Sequence, residues 1–181
     1  MDAHFFMEYR ELTESELVPA LFQHFIRRQE VTKCWRREGE RWVVRDDPFV
    51  DDWSEADYQF LLRCLRDTLR SGGLVYAAFD AGHLKGFAAV LPTLFGGEHR
   101  YLDLASLHVS QDIRGRGVGT VLFQAAKNWA KAHGAKKLYI SGHSAVETQA
   151  FYRKMGCVEA QLYHPKHVEE EPFDCQLELQ L

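Results

Sequence analysis

The 181-residue chain has no apolar run long enough to span a bilayer, and its N-terminus lacks the apolar core of a signal peptide. Both absences predict a cytoplasmic protein that neither crosses nor anchors in a membrane. It has no excess of positive charge: the formal net charge is −4, which argues against a general nucleic-acid binder. Cys34, Cys64, Cys157 and Cys175 are scattered with no C-x-x-C pair, and no adjacent histidine signal supports a catalytic cysteine. They read as reduced thiols. There is no internal repeat and no low-complexity linker, which leaves a single domain over residues 1–181. What is present is ordinary for a globular protein, at 46% hydrophobic and 27% charged residues.

One stretch organises the chain. A β-branched strand end runs from Leu107, His108 and Val109 into Arg114-Gly115-Arg116-Gly117-Val118-Gly119. Then Val118, Val121, Leu122, Ala125, Ala126 and Trp129 recur at helical spacing until Gly134. Glycines therefore sit where a strand turns into a helix, and a helix N-terminus leaves backbone N–H groups without partners. Glycine permits close approach of the backbone, and the dipole end favours an anion. With Arg114 and Arg116 at the same mouth, the turn reads as a pyrophosphate site.

Three phosphate-loop patterns compete for it. A P-loop requires Gly-Lys-Ser/Thr, and Thr120-Val121 after Gly119 fails it. The dinucleotide fingerprint requires G-x-G-x-x-G and a carboxylate ending the next strand; the spacing differs, and Lys137–Ser141 ends without one. The remaining pattern, Arg/Gln-x-x-Gly-x-Gly/Ala, is met by Arg114, Gly117 and Gly119. It resembles the acyl-CoA-binding signature of the GNAT superfamily of N-acetyltransferases.

Before the turn, Phe5 to Arg10 reads as an edge strand. Thr13 to Ile26 reads as a helix carrying Leu17, Leu21, Phe22 and Phe25. Residues 31–45 suggest a hairpin-like insertion, and Ser54 to Arg70 a second helix. Leu74–Phe79 and Leu84–Leu91 flank Asp80-Ala81-Gly82-His83 as an antiparallel hairpin. Pro92 to Arg100 is a loop and Tyr101 to Val109 a strand. After the long helix come strand Lys137–Ser141 and a helix opened by a capping box at Ser144-Ala145-Val146-Glu147. Strands Cys157–Tyr163 and Phe173–Leu181 enclose a loop at 164–172. This order predicts an α/β (α+β) fold: a mixed, mostly antiparallel twisted sheet with helices on both faces, which is also the GNAT order.

Thr148-Gln149-Ala150-Phe151-Tyr152-Arg153-Lys154-Met155-Gly156 resembles the second GNAT motif, with Ala145 where the family carries an asparagine. The resemblance implies that Tyr152 protonates the departing CoA thiolate; a phenol protonated at neutral pH suits that role. The alternative is a core tyrosine that fills space. Thr148, one turn earlier, offers a hydroxyl contact in place of the asparagine amide. Asp103 stands where relatives often carry a glutamate, which implies a general base; otherwise it is a solvated strand residue. By alternation His108 points away from Asp103 unless a bulge intervenes. Relatives splay this strand with such a bulge, implying pantetheine contacts from the backbone of Leu107, His108 and Val109.

Two clusters are weaker. The acidic block Asp46, Asp47, Asp51, Asp52, Glu55 and Asp57 could attract a cationic amine. His164, His167 and Glu169–Glu171 lack ligand spacing, so no metal is expected.

The resemblance implies acetyl-CoA as co-substrate, bound by Arg114 to Thr120 with Gly115, Arg116, Gly117, Val118 and Gly119 between. It also implies a small-molecule or peptide amine as acceptor, direct transfer in a ternary complex, and a homodimer as one arrangement. A non-catalytic acyl-CoA sensor on the same fold is the first competitor. An interaction module built on Trp35, Trp42 and Trp53 is the second.

Overall fold

A computed structural model of the protein describes residues 6–181. A seven-stranded sheet in the order β1-β4-β5-β6-β7-β9-β8 carries the fold, and β2 and β3 form a separate hairpin. The strands are β1 (Met7–Glu11), β2 (Arg28–Glu38), β3 (Arg41–Asp52), β4 (Leu74–Asp80), β5 (His83–Val90) and β6 (Tyr101–Val109). They continue with β7 (Lys137–Gly142), β8 (Val158–Glu159) and β9 (Cys175–Gln180). Helices are α1 (Glu55–Arg70), α2 (Val118–Ala132), α3 (Val146–Lys154) and α4 (Pro165–Glu170). All pairings in the main sheet are antiparallel except β6 with β7.

Side-chain alternation divides the core between two faces. Leu74, Ala78, Ala88 and Val90 pack with Val118, Leu122 and Ala126 of α2, whereas Val75, Ala77, Phe79, Phe87 and Ala89 pack with Leu61, Leu62 and Leu65 of α1. The helices thus bury opposite faces of β4 and β5. At Gly86 of β5 an added Cβ would stand 2.9 Å from Leu122 and 3.1 Å from Val118, so the glycine lets α2 seat closely.

The first helix expected from the sequence is absent. Its place is taken by two 3-10 turns, Glu14–Glu16 and Pro19–Phe22. Pro19 disfavours helical backbone at the preceding residue, and Val18 is extended at φ −124 and ψ 158. Leu17, Phe22 and Phe25 are nonetheless buried against α1 and β5. The edge strand begins at Met7; Phe5 lies outside the described residues.

Ser144 does not cap α3. Ala145 is the N-cap residue; Ser144 Oγ accepts a 2.6 Å bond from Arg36, and its carbonyl accepts from Trp35 N–H at 2.8 Å. The β2–β3 hairpin claims this position and so docks beside α3. The strand expected at 157–163 shortens to Val158–Glu159, and the expected loop at 164–172 holds α4.

Trp35 packs against Arg153, and Trp53 sits edge-on to Tyr58 and His108. Trp42 packs on the α2-side core beside Arg37. The tryptophans are therefore divided among separate intramolecular contacts. Among the described residues no helix is long and apolar enough to cross a membrane.

Candidate active site

The parallel pairing of β6 with β7 covers only Tyr101 to Asp103 against Lys137 to Tyr139. Beyond it the strands part, and the edge of β6 from Leu104 to Val109 borders a cleft of about 780 Å³. Backbone groups on that edge border the cleft instead of a β7 ladder partner.

A bulge directs this edge. Ala89 pairs with Ser106 and Val90 with Leu104, which leaves Ala105 as the extra residue. The alternation therefore inverts: Leu107 and Val109 face the α2 side, while His108 contacts Phe87 and Trp53 on the α1 side. His108 shares a face with Asp103 because of the bulge.

At the C-terminal end of β6 the turn forms the mouth. Gly115 and Gly117 adopt φ values of +78 and +80, the left-handed region that glycine occupies without strain. Gly117 is the N-cap residue of α2, and the first helical bond runs from Val121 N–H to the Gly117 carbonyl at 3.3 Å. The N–H groups of Val118, Gly119 and Thr120 make no backbone hydrogen bond among the described residues. They are the free donors of a helix N-terminus, where an anion is favoured. Arg114 lines the same wall, with Nε donating to the Val109 carbonyl at 3.1 Å. Burial and then the neighbouring Arg27 cation lower its pKa, so an incoming anion relieves repulsion between two guanidinium groups. Arg116 is in the turn but not in the cleft wall.

The opposite wall comes from α3 and the end of β7. Tyr152 is buried yet borders the cleft, its ring lying over Gly142. Burial, followed by the proximity of Cys157 and Asp174, raises its pKa, so the phenol keeps its proton. Phe151 also borders the cleft, nearer the mouth and against Gly119. Thr148 lies in the same wall and accepts a 3.3 Å bond from Gln29 of β2, leaving its own O–H to donate.

The hairpin side supplies residues without a local sequence signal: Arg27, Gln29 and Glu30, facing Ser141 and His143 of the β7 end. Arg27 is 7% exposed; Nη2 pairs with Asp51 at 2.9 Å and Nε donates to His108 Nδ1 at 3.2 Å. Burial, then Arg27 and Arg114, press the His108 pKa down to about 3. His108 is a neutral imidazole with its proton on Nε2. It can donate a hydrogen bond but cannot accept a proton near neutrality.

Asp103 stands apart. It is absent from the cleft wall and 5% exposed, with Oδ2 held 2.6 Å from His167 Nε2 of α4. Within the acidic block, Asp46 pairs with Lys33, Asp47 with Arg36 and Asp51 with the cleft-lining Arg27, and Asp57 caps α1. His164 Nδ1 is buried without a partner, and no group of three or more ligating side chains occurs among the described residues.

One open channel therefore runs from free N–H donors and arginine at the α2 N-terminus, along an unpaired strand edge, to a protonated phenol. Such a site can bind an elongated anionic ligand and supply a proton to a leaving group at its far end.

The same fold occurs in solved structures. A nourseothricin acetyltransferase superposes with a TM-score of 0.69 at 17% identity, covering 96% of this chain and 98% of that one. A Bacillus anthracis protein described as a streptothricin acetyltransferase, in complex with acetyl coenzyme A, gives 0.72 at 17% identity over 97% and 100%. A GNAT-family acetyltransferase from Brucella melitensis in complex with acetyl-CoA gives 0.58 at 18% identity over 98% and 90%. At these identities the likeness is one of fold. No curated protein matches the chain in sequence. The family model for the acetyltransferase (GNAT) family matches residues 39–157, which is more than half of the chain and includes the turn, α2, the β7 end and α3. The chain belongs to the GNAT family of acetyltransferases.

Proposed function

We propose that the protein is an acetyl-CoA-dependent N-acetyltransferase acting on a primary amine of a small molecule or peptide, by direct transfer in a ternary complex. The observation that carries this reading is the continuity of the cleft from the free N–H groups of Val118, Gly119 and Thr120 to the Tyr152 phenol. In this reading the pyrophosphate lies on the turn from Arg114 to Thr120. The left-handed Gly115 and Gly117 shape the turn, and Arg114 adds charge to the dipole. Arg116, in the same turn, adds cationic character to the mouth. Backbone groups of Leu107, His108 and Val109 align the pantetheine, with Thr148 donating from the facing helix.

Tyr152 donates its proton to sulfur as the C–S bond breaks. Its raised pKa keeps the acid form available across the neutral range. No covalent acyl-enzyme is required, since an amine freed of its proton and held in line is a sufficient nucleophile. Asp103 is left out of the base role, because its carboxylate is engaged by His167 away from the cleft wall. Support for the acetyl group and CoA comes from family membership and from the acetyl-CoA-bound relatives.

The test is thiol release from acetyl-CoA across a panel of primary amines, with mass spectrometry locating the acetyl group. Acetylation on nitrogen, dependent on the amine, is expected. Tight acetyl-CoA binding with no amine-dependent release would instead make the chain a sensor.

A further inference from the structure

Residues 139 to 143 of β7 and its end divide between the two faces of the sheet. Leu138 and Ile140 join the α2-side core, so Tyr139 and Ser141 face the other way. Tyr152 rests on Gly142 from the α2 side. Adjacent positions 141 and 142 thus place a hydroxyl and a phenol on opposite sides of the same point in the cleft, and both line it.

Ser141 is the penultimate member of a hydrogen-bond chain whose direction is fixed. The backbone N–H of His164 donates to the Tyr139 phenol oxygen at 2.9 Å, so the phenol proton goes to Gln176 Oε1. The Gln176 amide then donates from Nε2 to Ser141 Oγ at 3.0 Å. The Ser141 proton in turn goes to Asp174 Oδ2 at 3.0 Å. One lone pair of Ser141 Oγ stays open toward the cleft. Asp174, just before β9, is the terminus of the chain. Its proximity to Tyr152 is felt in the phenol's own proton affinity.

We propose that Ser141 and Asp174 form the proton-accepting relay for the acceptor amine, Ser141 meeting the ammonium and Asp174 taking the proton. This rests on the acetyl-transfer reading above. The step balances: an ammonium N–H passes its proton to Ser141 Oγ while the Ser141 O–H proton moves to Asp174 Oδ2. The amine becomes neutral and Asp174 a neutral carboxyl, with no net change in the serine. The freed amine forms the new C–N bond as C–S breaks, and sulfur takes its proton from Tyr152 on the other face. Asp174 later releases its proton to solvent.

The surroundings suit a carboxylate that accepts a proton near neutrality. Burial raises the Asp174 pKa to about 6, with Glu171 raising it further and the Ser141 bond and His167 lowering it. Tyr152 faces it from α3, and Cys175 follows it in the chain, with Arg36 and Arg153 beyond that thiol. The pair has no local signal in the sequence, because Ser141 and Asp174 lie 33 positions apart and the pairing of β7 with β9 brings them together.

The test compares wild type, Asp174→Asn and Ser141→Ala with acetyl-CoA and a panel of unbranched alkyl monoamines and diamines. The readouts are kcat at saturating amine as a function of pH, and Tm. Wild type should lose kcat through an acid limb at or below about 6. Asparagine still accepts the Ser141 bond but not a proton, so Asp174→Asn should lower kcat roughly 10²-fold and abolish that limb. Ser141→Ala should do the same while leaving Tm nearly unchanged. If both variants keep wild-type kcat per folded molecule and the same limb, the relay is wrong. In parallel, a carbon-13 titration of the Asp174 carboxyl reads the pair without turnover. Its pKa should rise in Ser141→Ala, and an unmoved value contradicts the relay. If wild type turns over no amine in the panel, it is the acetyl-transfer reading that falls, while the carboxyl titration still decides whether the pair exists.

Discussion

Arg27 Nε donates to His108 Nδ1 across 3.2 Å, and this bond fixes the tautomer of the histidine. A protonated imidazole would lose its acceptor nitrogen and place two cations face to face. Burial first, and then the Arg27 and Arg114 cations, hold the His108 pKa at about 3, below its ordinary 6.5. In the unfolded chain the group binds its proton at higher pH than in the folded one. Stability from this residue is therefore fully present above about 6.5 and is lost as pH falls toward 3. In His108→Gln, which keeps an acceptor for Arg27, Tm should decline less steeply with acidification than in wild type. An identical Tm–pH slope would mean that His108 ionises freely in the fold.

His167 has the opposite sign. Its bond to Asp103, the largest cause, raises its pKa above 6.5. That contribution is fully present below 6.5 and is lost as pH rises through the raised value. Asp103→Asn should lower Tm chiefly on the acid side of that window and bring the mildly acidic and mildly alkaline values closer together. Turnover per folded molecule should stay within a few-fold of wild type, because Asp103 is off the cleft wall. Unchanged Tm with a large loss of kcat would return Asp103 to the role of base.

The turn glycines Gly117 and Gly119 should respond to substitution for different reasons. A Cβ at Gly117 meets nothing within 4 Å, so the cost there lies in backbone at φ +80. A left-handed non-glycine residue costs roughly 1–2 kcal/mol, about 5–30-fold in an equilibrium constant. Calorimetric titration of Gly117→Ala should show acetyl-CoA affinity falling by up to that factor as the turn relaxes. Gly119 is helical, and its Cβ would enter the cleft side 3.4 Å from Phe151 and 3.7 Å from Val109. Gly119→Val should hold its fold and bind acetyl-CoA poorly. Wild-type affinity in both variants would place the ligand elsewhere.

Gly142 carries the Tyr152 ring. An added Cβ would stand 3.2 and 3.3 Å from ring carbons of Tyr152 and 3.0 Å from Gln149 Nε2. Gly142→Ala should displace the phenol and destabilise the fold by about 1–3 kcal/mol, the range for overpacking. In thermal melts and steady-state assays, kcat should fall more than acetyl-CoA affinity. Equal losses in both would mean that the ring serves binding and not the chemical step.

The features legible in the sequence were those with a local signal. The glycine turn, the 3.6-residue period of α2, the hairpin turn at Asp80–His83 and most of the element order along the chain depend on neighbours in the chain. Thr13 to Ile26 misled because its apolar spacing is helical, while Pro19 at its centre forces Val18 to be extended. Ser144 and Glu147 have capping-box spacing, but Arg36 and Trp35 of a distant hairpin take Ser144 first. Arg27, Ser141, His143 and Asp174 had no signal, since each reaches its place through sheet pairing or hairpin docking. The bulge at Ala105, which decides where His108 points, likewise depends on the register of β5 against β6.

The measurement closest to the central claim is kcat of Tyr152→Phe with acetyl-CoA and an amine that wild type acetylates. Phenylalanine keeps the ring against Gly142 and Phe123, so Tm and acetyl-CoA affinity should hardly change. Loss of the proton donor should reduce kcat by roughly 10²–10⁴, the scale of general acid catalysis. The loss should appear in kcat and not in KM for acetyl-CoA, because the bond strengthens as charge develops on sulfur. A lowered Tm with wild-type kcat per folded molecule would contradict the account and leave Tyr152 as a core residue.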